Sequence, residues 1–350
     1  MTSQAFLKHL LFCGGLSLLS ALVVRAMIGA GVMDTPDGRK VHDRPVPKGG
    51  GVGVVAAFLA GITVLYAFAE FSRIADGYFR GVILASAAMA LVAFLDDTRN
   101  WSFLFKLGGQ IAAALLAVGS GLVVSTVNLP LLGPVSLGWF GVAGTLCWIL
   151  FATNAMNFID GLNGLAAGVS ALCCAALAGI AAAHGGWFVY FASLLLLSGL
   201  LGFLPFNFPR ARIFMGDVGS QFCGFVLAVL AVAAGRFGGV ELSVLLVPML
   251  LFGVLYDVGF TLVRRAAAGD RVTEPHRGHL YQLAQRSGLR MEAVTLIHWG
   301  FVLWGALCCF LFLRAAGTGK AGVPLLVLPP QLLWTAYVLR RARARPIGRW

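Results

Sequence analysis

Eleven apolar runs limit what this chain can fold into. They fall at about 9–31, 50–69, 77–95, 104–124, 135–156, 162–183, 186–204, 218–235, 242–263, 294–313 and 321–339. Each has roughly the 20 residues that an α-helix needs to cross ~30 Å of hydrocarbon. Only 11% of the residues are charged and 59% are hydrophobic, where a soluble domain has about 25% charged. The expectation is an all-α polytopic membrane protein with about 11 transmembrane helices, or 10 if the short connections between the fifth and seventh runs hide one span fewer. No polar segment is long enough for a second core, so residues 1–350 form a single membrane domain. Lys8 precedes the first run as in a signal peptide, but no small-x-small cleavage site follows, and the run is read as the first span.

Charge gives the orientation. Of 26 Lys and Arg residues, eighteen fall on the odd-numbered loops and the C-terminus, six on the even-numbered loops and the N-terminus, and two, Arg25 and Lys106, within spans. By the positive-inside rule the N-terminus is outside, the C-terminus cytoplasmic, and the cytoplasmic loops lie at about 32–49, 96–103, 157–161, 205–217 and 264–293. The net charge of +12 thus belongs to loops that face headgroups and phosphates, and no nucleic-acid partner is expected. Seven cysteines without a CxxC spacing read as small hydrophobes. No matched pair of broken helices marks an inverted-repeat transporter.

Polar clusters gather on those same loops. Asn154, Asn157, Asp160, Asn163 and Gly164 stand between two apolar runs. An ionisable residue at membrane depth is a functional-site candidate, a plain polar hairpin being the alternative. The first loop carries Arg39, Lys40, His42 and Lys48 ahead of Gly49-Gly50-Gly51. Successive glycine N–H groups at a helix start attract anions, and the same cations suit lipid headgroups. Asp96-Asp97 close the third run at the negative end of its helix dipole, a cost that a metal or a cation turns to use. Lys106, one turn into the next run, can neutralise one of them or reach a phosphate. Asn207 opens the loop that ends at Gly216-Asp217-Val218-Gly219, where Asp217 is either an N-cap or a ligand with room around it. In the longest loop, His276 and His279 can share a helical face. No thiol or third His stands nearby for zinc, and Arg277 between them argues for an anion. Asp257, inside the ninth run, either pairs with Arg264 or serves the fold.

Taken together, five motifs resemble the polyprenyl-phosphate N-acetylhexosamine-1-phosphate transferase superfamily, glycosyltransferase family 4, over nearly the whole chain. They are Arg39-Lys40-x-His42 with Pro47-x-Gly-Gly, Asp96-Asp97, Asn154-x-x-Asn157-Phe-x-Asp160-Gly-x-x-Gly164, Phe214-Met-Gly-Asp217-x-Gly-Ser220, and Pro275-His276-Arg-Gly-His279-Leu-Tyr281-Gln282. The histidine motif is closer to the branch that initiates O-antigen or related surface-polysaccharide synthesis than to the peptidoglycan branch. The family commonly has Asp-Gly-x-Asp-Gly; here Asn163 takes the second Asp position and is given no base or primary metal role.

The resemblance implies transfer of an N-acetylamino-sugar 1-phosphate from a UDP-sugar to undecaprenyl phosphate. The products are undecaprenyl-diphospho-sugar and UMP, and the site faces the cytoplasm from the bacterial inner membrane. It further implies Mg2+, with Mn2+ as a substitute, held by Asp217 with Asp160; Asp96, Asp97 and Asp160 as catalytic groups; and Arg39, Lys40, His42, Lys48, Lys106, Asn154, Asn157, Asn207, His276, Arg277 and His279 as substrate-binding residues. Family members often dimerise, so a homodimer is one expected assembly. The second pKa of a phosphate monoester is near ~6, so the lipid phosphate is mostly a dianion and a base has little to remove; Asp97→Asn is expected to cost more than Asp96→Asn. Two alternatives stay open: a transferase specific for UDP-N-acetylglucosamine rather than a deoxyamino sugar, and, in a different class, a secondary transporter of an anionic solute.

Overall fold

The computed structural model describes residues 3–34, 45–68, 76–99, 101–129, 133–236, 242–271, 274 and 276–348. Arg39, Lys40 and His42 lie outside the described residues. The helices are α1 (Ser3–Ala30), α2 (Gly51–Phe68), α3 (Asp76–Arg99), α4 (Phe103–Gly119), α5 (Gly138–Ile159), α6 (Leu165–Ala183), α7 (Trp187–Asn207), α8 (Gly216–Arg236), α9 (Leu246–Leu250), α10 (Phe252–Ala267), α11 (Leu280–Arg286), α12 (Met291–Arg314) and α13 (Leu328–Arg343). Two short antiparallel ribbons join them, β1 (Met33–Asp34) with β2 (Val46–Pro47) and β3 (Thr126–Leu129) with β4 (Gly133–Ser136).

Among the described residues nine helices are long and apolar enough to cross a membrane, and the chain is a multi-pass membrane protein. Two expected spans differ in form. The fourth is a helix of 17 residues, about 25 Å long at 1.5 Å per residue, because the chain turns at Ser120 and residues up to 124 lead into the β3–β4 ribbon instead. The ninth is divided at Leu251 into α9 and α10. In α10 the buried residues are Gly253, Val254, Asp257, Val258, Thr261 and Arg265. That is one face of the helix, and it turns polar groups inward rather than towards lipid.

Helix α8 is the hub. It is apolar all round and buried along nearly its whole length, as a helix surrounded by others must be. Glycines let its neighbours approach: a Cβ on Gly51 would stand 2.2 Å from Gly219 Cα, and one on Gly224 2.7 Å from Ala152 O. Such close approach of backbones is how helices associate where water supplies no driving force. The chain alternates direction, so the start of α2, the end of α3, the start of α4, the end of α5 and the start of α8 meet at one end of the bundle.

Candidate active site

At that end, Asp97 from the last turn of α3 reaches the first turn of α8, where its Oδ2 accepts from Val218 N–H at 2.9 Å. A helix N-terminus favours a carboxylate there. A Cβ on Gly216, whose φ is +75°, would lie 2.8 Å from the same oxygen, so glycine is needed both for the backbone turn and for the space. Lys48, just before α2, donates to Asp97 O at 2.9 Å and lies 3.7 Å from its Oδ1. Lys106, in the first turn of α4, is 2.8 Å from Asp96 Oδ2 and also donates to Asp217 Oδ2. One ammonium group thus ties α3, α4 and α8. Asp217 is therefore an ion-pair partner, not an N-cap.

The helix α5 brings the amides. Asn154 and Asn157 are one turn apart, and Asp160 caps the helix end. Asn157 is satisfied with its oxygen towards Lys106 Nζ (3.2 Å) and its nitrogen donating to Asp217 Oδ1 (3.1 Å) and Ser220 Oγ (2.9 Å). Desolvation, with the charges of Asp217 and Asp97 added to it, pushes the Asp160 carboxyl up to about 8. Two further residues belong here that the sequence reading passed over. Gln221 donates to Asp217 Oδ2 at 3.0 Å, and buried Gln110 donates to Gln221 Oε1 at 2.9 Å and accepts from Asn154 at 2.8 Å. The only signal was an uncharged amide alone in an apolar run.

Two assignments change. The N–H groups of Gly50 and Gly51 donate to Phe214 O and Met215 O, both at 2.9 Å. They dock α2 against the start of α8 and leave no open anion cradle at those two positions. Asn207, expected to bind substrate, is buried with both ends of its amide used: it accepts from Gly164 N–H at 2.8 Å and donates to Ile213 O at 3.0 Å. It braces the turn after Asp160. Trp299 and Thr295 of α12 hold the same turn by donating to Gly164 O and Asn163 O, while the Asn163 side chain donates to Pro209 O at 3.1 Å.

His276 and His279 share no helical face. His279 is the residue before α11, and His276 lies in the loop ahead of it. Their ring centroids are nevertheless 4.9 Å apart. The loop docks on the carboxylate end: Tyr281 Oη donates to Phe158 O at 2.9 Å, and a Cβ on Gly161 would meet that hydroxyl at 2.4 Å. His279 stacks at 6.0 Å on Phe158, two residues before Asp160. Asp257 accepts from Leu280 N–H, Tyr281 N–H and Thr261 Oγ1 and lies 3.2 Å from His279 Nδ1. It fixes the start of α11. The backbone of Arg277 is held by Arg286 Nη1 at 2.8 Å.

Among the described residues, four carboxylates face two ammonium groups, Lys48 and Lys106. With all six ionised this leaves a formal deficit that one divalent cation would cancel, and all the acidic donors are hard oxygens. Among the described residues no three His, Cys, Asp or Glu side chains form a ready-made cage. Such a site suits an ion bound through one or two carboxylates that keeps its other positions for water and substrate phosphates, as Mg2+ does.

The apolar helices and the charged cluster at their ends define a multi-pass membrane protein with an acidic, lysine-paired cluster at one end of the bundle. Residues 79–235 match the family model for glycosyl transferase family 4. The chain is 32% identical over 291 residues to a probable undecaprenyl-phosphate N-acetylglucosaminyl 1-phosphate transferase of Bacillus subtilis, covering 81% of this chain and 79% of that protein. It is 32% identical over 312 residues to the decaprenyl-phosphate N-acetylglucosaminephosphotransferase of Mycobacterium tuberculosis, covering 81% and 76%. A phospho-N-acetylmuramoyl-pentapeptide-transferase of Lacticaseibacillus paracasei is 39% identical over 154 residues, 43% of this chain and 45% of that one. The chain belongs to the polyprenyl-phosphate N-acetylhexosamine-1-phosphate transferase superfamily and is a transferase.

Proposed function

We propose that this protein transfers N-acetylglucosamine 1-phosphate from UDP-N-acetylglucosamine to undecaprenyl phosphate, with Mg2+ as the metal. The observation that carries this reading is the meeting of Asp96, Asp97, Asp160 and Asp217 with Lys48 and Lys106 where five helix ends converge. A lipid phosphate has to arrive from the bilayer and a nucleotide from water, and the rim of a helix bundle is where both can reach. The sugar follows the names of the two relatives matched over most of their length; those names differ in the lipid, undecaprenyl in one and decaprenyl in the other.

In the reaction an oxygen of the lipid phosphate forms a bond to the sugar-bearing phosphorus of the nucleotide. The bond from that phosphorus to the bridging oxygen breaks, and UMP leaves with the oxygen. One diphosphate linkage replaces another, so the step runs near equilibrium. Asp217 and Asp160 would hold Mg2+, which when bound neutralises the phosphates of the nucleotide. Lys106 restrains Asp217 from the other side, and Gln221 fixes the oxygen it shares with Lys106. Asp97 is held by Val218 and can accept the proton of the minority monoanionic lipid phosphate. Positioning and charge neutralisation supply most of the rate, as in other phosphoryl transfers. On this reading the site faces the cytoplasm from the bacterial inner membrane, and the product primes an O-antigen or a related envelope polysaccharide.

The test is UMP release by the full-length protein in detergent with Mg2+, undecaprenyl phosphate and a panel of UDP-N-acetylamino sugars. Release that needs both lipid phosphate and metal, and is fastest with UDP-N-acetylglucosamine, is the expected result. A faster deoxyamino sugar overturns the sugar assignment. Failure of the folded protein to bind either substrate overturns the reaction.

A further inference from the structure

Two histidines beside the carboxylate cluster are held by opposite hydrogen bonds. At His276, Nδ1 accepts from Gly278 N–H at 3.2 Å. A nitrogen that accepts carries no proton, so the proton of this ring is on Nε2. At His279, Nδ1 faces Asp257 Oδ1 at 3.2 Å, and an ionised carboxylate only accepts, so the ring must present Nδ1–H. Asp257 cannot turn away to relax this choice, since its oxygens are also held by the N–H groups of Leu280 and Tyr281 at 2.8 and 3.0 Å. The His279 ring packs against Phe158 and Tyr281, at 6.0 and 5.9 Å between centroids.

We propose that Asp257 is a positioning residue that holds Nδ1–H of His279 towards itself, so that the two imidazoles turn their Nε2 atoms to the sugar nucleotide, with Nε2–H of His276 as a donor. Among the described residues neither Nε2 has a hydrogen-bond partner within the protein. The rings are 4.9 Å apart at their centroids, close enough for one ligand group to meet both. The acceptor that the His276 donor fits on this substrate is a hydroxyl or N-acetyl oxygen of the sugar. Burial, with His279, Arg265 and Arg264 adding positive charge, pushes His276 down to about 4, which keeps that ring neutral. The inference rests on the transferase reading for the identity of the ligand, not for the tautomers.

The experiment is 15N NMR of the full-length protein labelled at histidine, with His276 and His279 assigned from the signals lost in H276Q and H279Q. The expected wild-type result is a proton on Nε2 of His276 and on Nδ1 of His279. In D257N the amide can donate as well as accept, so the His279 signal moves towards the other tautomer. The same variant raises KM for the UDP-sugar about tenfold, as loss of a buried hydrogen bond does, and leaves KM for the lipid phosphate unchanged. A wild-type His279 protonated on Nε2 alone overturns the proposal without need of any variant, as does a folded D257N with unchanged tautomer or unchanged KM. If the wild-type protein transfers no sugar at all, the reaction falls while the tautomer measurement still decides this point.

Discussion

Tyr281 Oη donates to Phe158 O at 2.9 Å, and this bond joins the histidine loop to the helix end that carries Asp160. The residue is buried and its ring fills the space left by Gly161. Replacing it with phenylalanine keeps the packing and removes the tether. A lost hydrogen bond of this kind costs about 1 kcal/mol, so Y281F should lower kcat/KM roughly fivefold and leave Tm within a few degrees of wild type. UMP release and a thermal melt on the same preparation check both.

Among the described residues Lys106 is the one cation shared by Asp96 and Asp217. K106M leaves those carboxylates facing each other, and the expected loss of kcat is about two orders of magnitude, comparable to removing a preorganised electrostatic partner in other enzymes. The same change leaves Asp217 Oδ2 with Gln221 as its remaining donor among the described residues, so the Mg2+ concentration for half-maximal residual activity should fall. A rise in that concentration would mean that Lys106 assists the metal instead of restraining its ligand.

The adjacent carboxylates are not equivalent. Asp96 is committed to Lys106 at 2.8 Å, whereas among the described residues Asp97 Oδ1 has a looser, 3.7 Å approach from Lys48. D97N should therefore cost more activity than D96N. Equal losses at unchanged Mg2+ dependence would remove any special proton-accepting part for Asp97.

Asp160 gives a pH dependence with a definite sign. Its carboxyl, near 3.9 when unfolded, is pushed up to about 8 in the metal-free fold by desolvation and by Asp217 and Asp97. The folded state then binds more protons than the unfolded state between those values, so this group's contribution to stability is present at low pH and is lost as pH rises from about 4 to 8. Metal-free D160N should show a flatter stability profile over that window, and added Mg2+ should stabilise the wild type more at pH 8 than at pH 6. Thermal melts across the range measure both slopes.

Much of the site could be read in the sequence because charge among apolar residues has few cheap explanations. Asp96, Asp97, Lys106, Asn157, Asp160 and Asp217 stand at the ends of apolar runs, and alternation of the spans carries those ends to one side. Elsewhere the same signal had two readings. Gly50 and Gly51 suit an anion or a tight helix contact equally well, and only the positions of Phe214 O and Met215 O decide. Gln110 and Gln221 are uncharged and solitary, so nothing in the order of residues shows that they meet across two helices. Leu122, Val123 and Val124 are as apolar as any membrane residue, yet they follow the end of the helix at Gly119 and lead into the β3–β4 ribbon, which is why the fourth span was drawn too long. Asp257 was read as a partner of Arg264 or as serving the fold, and the groups it holds belong to Thr261 and to residues 279–281.

The contact between Asp96 and Lys106 has a consequence for how the chain enters the membrane. The two residues sit on consecutive helices joined by a short turn, so each can mask the other's charge as soon as that helical pair leaves the ribosome and is handed to the insertion machinery. Asp217 is synthesised more than a hundred residues later and meets an ammonium group already in place. The order of translation thus lets the bilayer receive a nearly neutral hairpin first, and the excess negative charge of the finished site comes with Asp160 and Asp217, which are synthesised later.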